Sequence, residues 1–260
     1  MIKILHRFFY AWIFLTRFPA PPLPKAKNED WGRIAPYFSV IGFVIGFVLF
    51  LFTKVFLYLK LPILFSALLL VFMWVLITGG LHMDGVMDTF DGVNCTDPSR
   101  KIEAMKDSRV GAFGAMAGIF LVFFKVVALC TILTNKLLFL IVISPLLARL
   151  MVVYSFTFLS RNKDAGVSSS LLLEGIKKPN DFFINVLTLI FFLIVCRAGL
   201  ILPLHSYIVI FILIAFFTCL LWAYWLNNHF KGHTGDTFGA LIELSEVTIL
   251  SLGVILKNYL

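Results

Sequence analysis

The chain has 260 residues, 60% of them hydrophobic and only 14% charged, with a formal net charge of +8. Soluble domains carry about 25% charged residues, and a globule of this size has too little interior to hide so much Phe, Leu and Ile. An ordinary soluble domain is therefore excluded, and the positive balance speaks for membrane orientation and contact with anionic lipid, with no nucleic-acid partner implied.

At the N-terminus, Lys3 and Arg7 precede an apolar stretch, 8–15, that imitates a signal peptide. Arg17 and the prolines Pro19, Pro21, Pro22 and Pro24 follow, with no small-residue cleavage site. The segment is expected to be an amphipathic helix in the membrane interface, anchored by Tyr10 and Trp12. Beyond it come seven apolar runs, near 36–58, 62–80, 112–134, 137–159, 182–202, 207–226 and 238–256. A helix crosses the hydrocarbon core with about 20 apolar residues, and a lipid-exposed span must satisfy its own backbone hydrogen bonds, which favours helices. The last run is interrupted by Glu243 and Glu246. The predicted fold is all-α: a polytopic integral membrane protein, one domain over 1–260, with about seven transmembrane helices plus the N-terminal interfacial helix. Cys130, Cys196 and Cys219 fall in apolar runs, where Cys behaves as a small hydrophobe. Cys95 has no partner at metal-site spacing, so neither a disulfide framework nor a zinc site is predicted.

Seven spans place segments 1–35, 81–111, 160–181 and 227–237 on one face. They hold 15 of the 22 Lys and Arg residues, including Lys163, Lys177 and Lys178, while the other face has short turns around Lys60, Lys136 and His205. Positive residues collect on the cytoplasmic side, so the long segments are expected there. Twelve of the 14 acidic residues lie in the same segments, and the other two are Glu243 and Glu246. This concentration of carboxylates suggests a site that opens to the cytoplasm.

Three segments carry candidate chemistry. In the first, His82 leads into Asp84, Asp88 and Asp91, which share one helical face at i, i+4 and i+7. Like charges there repel unless a cation binds between them, and Mg²⁺ takes carboxylate oxygens while leaving positions for substrate phosphate. The plainer alternative is a solvated acidic helix end, but these aspartates directly follow an apolar span, where ionisable groups are costly and usually functional. The second segment, 100–114, is expected to be a short amphipathic helix ending at Gly111 and Gly114, with Lys106, Ser108 and Arg109 available for phosphate; a basic surface helix is the alternative. In the third, Thr234 and Asp236 precede Glu243 and Glu246, with Asp236 and both glutamates on one face. The glutamates could instead pair inside the bundle with Lys125 or Arg149, and Arg149, near mid-span, is itself a substrate-cavity candidate. The many Phe residues read as lipid-facing or packing surface.

The pieces GGLHMDGVMDTFDG, MKDSRVGAFG and TGDTFGALIELSE, with FLTRFPAPP and PYFSVIGFVIG before them, resemble the cobalamin synthase (adenosylcobinamide-GDP ribazoletransferase) family in order and interval. The resemblance implies a Mg²⁺-dependent enzyme of the bacterial inner membrane that joins adenosylcobinamide-GDP to α-ribazole or its 5′-phosphate and releases GMP. It implies metal binding by Asp84, Asp88 and Asp91 with Asp236 as a further ligand, and phosphate or substrate contacts from Lys106, Ser108, Arg109, Arg149 and Thr234. Asp91, His82 and Glu246 are the candidates for the base. The expected partners are those two substrates and the lipid bilayer, with a homo-oligomer left open. Rival readings are a membrane CDP-alcohol phosphotransferase or prenyltransferase, a transporter, and a purely structural membrane protein.

Overall fold

The computed structural model describes residues 2–162, 179–198 and 207–258. Among them the elements are helical: α1 (Ile2–Leu15), α2 (Asn28–Trp31), a 3₁₀ turn (Ala35–Tyr37), α3 (Phe38–Tyr58), α4 (Ile63–Thr78), α5 (Leu81–Asn94), α6 (Lys101–Met105), α7 (Ala112–Thr134), α8 (Phe139–Phe158), α9 (Pro179–Ala198), α10 (Tyr207–His229) and α11 (Gly235–Ile255). Six of these are long and apolar enough to cross a membrane: α3, α7, α8, α9, α10 and α11. The shorter α4 stands where the second predicted span was placed. The result is an all-helical, multi-pass membrane architecture. Lys163, Lys177, Lys178 and the turn at His205 lie outside the described residues.

Helix α8 is the hub, buried along almost its whole length although its sequence is as apolar as that of its neighbours. Around it, α3, α9 and α10 turn Phe52, Phe191, Phe217, Leu221 and similar side chains outward. An outer surface of this kind needs an apolar surrounding, which a bilayer supplies. The closest packing is between α3 and α8. A Cβ on Gly46 would stand 2.7 Å from the Val142 Cα, and one on Gly42 would stand 2.9 Å from the Leu146 Cα. This small-xxx-small spacing lets two backbones meet where no hydrophobic force drives helices together. Gly46→Ala is expected to lower thermal stability by about 1–3 kcal/mol, the usual range for overpacking, as measured by thermal unfolding in detergent.

The segment joining α4 to α5 shapes the site. Gly79 (φ 66°) and Gly80 (φ 73°) both occupy the left-handed region, which costs glycine nothing and other residues dearly. The chain turns by 91° there, so α5 leaves the course of α4 and packs on α7 and α11; α4 and α5 together form a bent pair as apolar as a single span. The described parts of the four long segments gather at the α5 end of the bundle. Arg17 N donates to the Ile77 carbonyl, Asn162 N to the His233 carbonyl and Gly111 N to Asp91, while Lys101 Nζ lies 2.6 Å from His229 Nε2.

Two expectations are corrected. Tyr10 is no interfacial anchor: it is buried, its hydroxyl donates to the Pro24 carbonyl at 2.9 Å, and its ring lies against Trp31. The proline-rich strap after α1 folds back and covers it. The helix predicted over 100–114 exists only as α6, Lys101–Met105. Asp107 breaks it by accepting from Arg109 N and from the Arg109 guanidinium, a local side-chain bond that competes with helical pairing. All four cysteines are free thiols, as expected.

Candidate active site

Where α5 meets the start of α11, two glycines remove the space between the helices. A Cβ on Gly85 would stand 2.7 Å from the Asp236 carbonyl oxygen and 3.2 Å from the Gly239 Cα. This contact brings together two acidic motifs about 150 residues apart in the sequence. Asp84 and Asp236 both line a cavity of about 240 Å³, together with His82. Its other walls are apolar and come chiefly from Phe14, Phe38, Phe156 and Phe238.

The carboxylates here are under electrostatic pressure. Burial, and then the charges of Asp84, Asp236 and Asp91, push the Asp88 carboxyl up to about 7. Among the described residues no salt bridge neutralises Asp84, Asp88 or Asp236, although Lys106 lies within electrostatic reach of Asp236. Such a cluster attracts either protons or a cation. Among the described residues no three His, Cys, Asp or Glu side chains form a closed metal cage. An open pair of carboxylates instead matches a hard cation that takes one or two protein oxygens and completes its shell with water and phosphate.

Asp91 is engaged differently. Its two carboxylate oxygens accept from Gly111 N at 2.7 Å and Gly114 N at 2.8 Å, supplying the N-terminus of α7 with a negative charge and two hydrogen bonds. Gly111 and Gly114 are required because a Cβ at either would strike that carboxylate. Asp91→Ala is expected to destabilise the protein by about 1–2 kcal/mol and to loosen the 106–111 loop, as read from faster proteolysis within that loop.

Glu246 and Arg149 lie deeper, and the pairing alternative is the one the structure holds. Lys125 Nζ donates to Glu243 Oε2 and to Glu246 Oε2, each at 2.6 Å, and Arg149 Nη1 donates to Glu246 Oε1. All four side chains are buried, and Lys125 also sits 4.3 Å from the centre of the Trp74 ring. Two cations and two anions close the account. Glu246 thus has both oxygens committed to cations, and neither it nor Arg149 reaches the cavity wall. Arg149 Nη2 does reach His82 Nδ1, at 3.4 Å. An arginine can only donate, so His82 Nδ1 accepts, and the neutral ring carries its proton on Nε2. Burial, then Arg149 and Lys125, hold His82 well below its ordinary pKa. In that tautomer His82 is a hydrogen-bond donor at Nε2 and no base.

Thr234 caps α11. Its hydroxyl accepts from Thr237 N at 3.2 Å, while the Thr237 hydroxyl accepts from Thr234 N at 2.7 Å. Ser108 and Arg109 are exposed on the α6–α7 loop, with Arg109 paired to Asp107 at 2.8 Å. Sequence reasoning missed Arg17, whose exposed side chain lies against Gly79 beside the cavity's Leu81, and the four phenylalanines of the cavity. A single Phe among 29 carries no mark that separates a cavity wall from a lipid-facing side chain.

A family profile described as cobalamin-5-phosphate synthase matches residues 7–254. Curated relatives named adenosylcobinamide-GDP ribazoletransferase include one from Thermoanaerobacter pseudethanolicus, 34% identical over 95% of this chain and 96% of the relative. One from Clostridium botulinum is 34% identical over 96% and 98% of the two chains. Another from Trichormus variabilis is 30% identical over 98% of this chain and the whole of the relative. No solved structure matches.

Proposed function

Since the chain belongs to the cobalamin-5-phosphate synthase family, we infer that it is a membrane transferase of late cobalamin biosynthesis that joins adenosylcobinamide-GDP to α-ribazole or its 5′-phosphate and releases GMP. The observation that carries this reading into the structure is the placement of Asp84 and Asp236, from two distant motifs, on the wall of one cavity.

In this reaction a ribose hydroxyl oxygen bonds to the cobinamide-side phosphorus of the donor's pyrophosphate. The bond from that phosphorus to the bridging oxygen breaks, GMP leaves with the electron pair, and the hydroxyl proton passes to a base. Catalysis of such transfers is mostly positioning and neutralisation of oxygen charge. The open pair of carboxylates fits Mg²⁺, which Asp84 and Asp236 would hold, with Asp88 adding negative charge beside them; when bound, it would supply charge neutralisation at the phosphate oxygens. Asp91 anchors the 106–111 loop, so that Lys106, Ser108 and Arg109 face the same end of the bundle as candidate phosphate contacts. His82 Nε2–H, aimed from the cavity wall, offers a donor to a phosphate oxygen. The proton of the attacking hydroxyl falls to the carboxylate cluster, because Asp91 and Glu246 are engaged and His82 has the wrong tautomer. Placing this end of the bundle on the cytoplasmic side of a bacterial inner membrane agrees with the positive charge of its segments.

The test uses purified protein in liposomes with adenosylcobinamide-GDP and α-ribazole 5′-phosphate. GMP and the joined corrinoid should form together with Mg²⁺ and stop on chelation. Release of CMP from a CDP-alcohol, or of diphosphate from a prenyl donor, in place of GMP would overturn the assignment.

A further inference from the structure

Resting on that transferase reading, we propose that the 240 Å³ cavity seats the flat base of the acceptor nucleoside, while the corrinoid donor stays outside, at the mouth. The cavity is polarised. Phe14 from α1, Phe38 from α3, Phe156 from α8 and Phe238 from α11 form a continuous aromatic wall: the Phe14 and Phe38 rings stack at 6.2 Å, Phe38 meets Phe156 edge-on at 5.9 Å, and Phe156 meets Phe238 edge-on at 4.3 Å. Asp84, Asp236 and His82 come from α5 and the first turn of α11, which pack directly on each other.

Size makes the first selection. A volume of 240 Å³ is about eight waters' worth, enough for a bicyclic ring and far too little for a corrin macrocycle with its fringe of amides. Three bicyclic rings enter with the substrates: the adenine and guanine of the donor and the base of ribazole. Adenine, like guanine, presents polar edges that these walls would leave unpaired. Guanine carries donors and acceptors along both edges, and these walls would leave most of them unpaired, which opposes entry. The ribazole base is a dimethyl-substituted benzimidazole whose outer edge is hydrocarbon. It suits a wall of phenylalanine closed by Val152 and Ile242, with aromatic rings placed for edge and face contacts. A base seated methyl-first leaves its ribose at the polar side, beside Asp84 and Asp236. The attacking hydroxyl is then delivered where the donor's pyrophosphate and its counter-ion gather.

The test compares wild type with Phe14→Ala and Phe156→Ala in detergent, following GMP release while each substrate is varied. Phe14 lies half-buried on the interfacial helix, so its truncation spares the bundle core if Phe156→Ala does not fold. The KM for α-ribazole should rise roughly tenfold in each variant, with the donor's KM changed by less than about twofold. Direct binding of labelled α-ribazole without donor should weaken in parallel, and GMP should not displace it. A shift in the donor's KM, displacement by GMP, or unchanged α-ribazole binding in both variants overturns the seating while leaving the transferase reading intact. Wild-type protein that releases no GMP sinks that reading, and the seating with it.

Discussion

Asp84→Asn is expected to lower the rate of GMP release by roughly a thousandfold, the scale on which loss of one preorganised charge-stabilising group is felt. Asp84 stands on the cavity wall, exposed toward the space where phosphate must lie, and no salt bridge with the described residues neutralises it. Asparagine keeps its shape and one oxygen but removes the charge that holds a divalent cation. Because the substitution also relieves repulsion against Asp88, thermal stability should hold or rise. A fall in rate with no fall in melting temperature separates a role in the chemistry from a role in folding. Initial rates across a Mg²⁺ titration check it: part of the loss should return at high metal concentration. A variant working within tenfold of wild type at equal metal would remove Asp84 from the centre.

Arg149→Met carries the largest expected cost to stability, about 3–5 kcal/mol, because it leaves a buried carboxylate without its partner. With Arg149 gone, Lys125 alone faces Glu243 and Glu246, all three side chains buried. Adding Glu246→Gln restores the balance of one cation to one anion and should recover more than half of the loss. Unfolding followed by Trp fluorescence, with Trp74 beside Lys125 as a local reporter, measures both variants. If the single variant melts like wild type, or the second substitution deepens the loss, the four groups are not one coupled network.

Much of this was legible before any coordinates. The spans were visible because apolar length is a one-dimensional signal, and each of the seven runs has a helix. The i, i+4, i+7 aspartates were legible as one helix face, which α5 supplies. What periodicity does not contain is which groups on different helices meet. The glutamates of α11 could be offered either to a substrate or to Lys125 and Arg149, and only the packing of α7, α8 and α11 decides for the latter. Asp91 looked equivalent to Asp84 along the chain, yet the N-terminus of α7 brings two backbone N–H groups onto it. The aromatic cavity was invisible for the same reason: Phe14, Phe38, Phe156 and Phe238 come from four separate elements, each ordinary in its own context.

The charge network also has a consequence for how the protein is made. Helices α7 and α8 emerge from the ribosome roughly a hundred residues before α11, and each carries one cation, Lys125 or Arg149, into the bilayer. A lone charge at that depth is unfavourable, and the matching anions, Glu243 and Glu246, come only with α11. The same helix brings Asp236 and closes the cavity with Phe238 and Ile242. Insertion of α11 therefore completes the electrostatic balance and the reaction site together. A chain clipped before residue 235 would lack Asp236 and would leave Lys125 and Arg149 without their carboxylate partners.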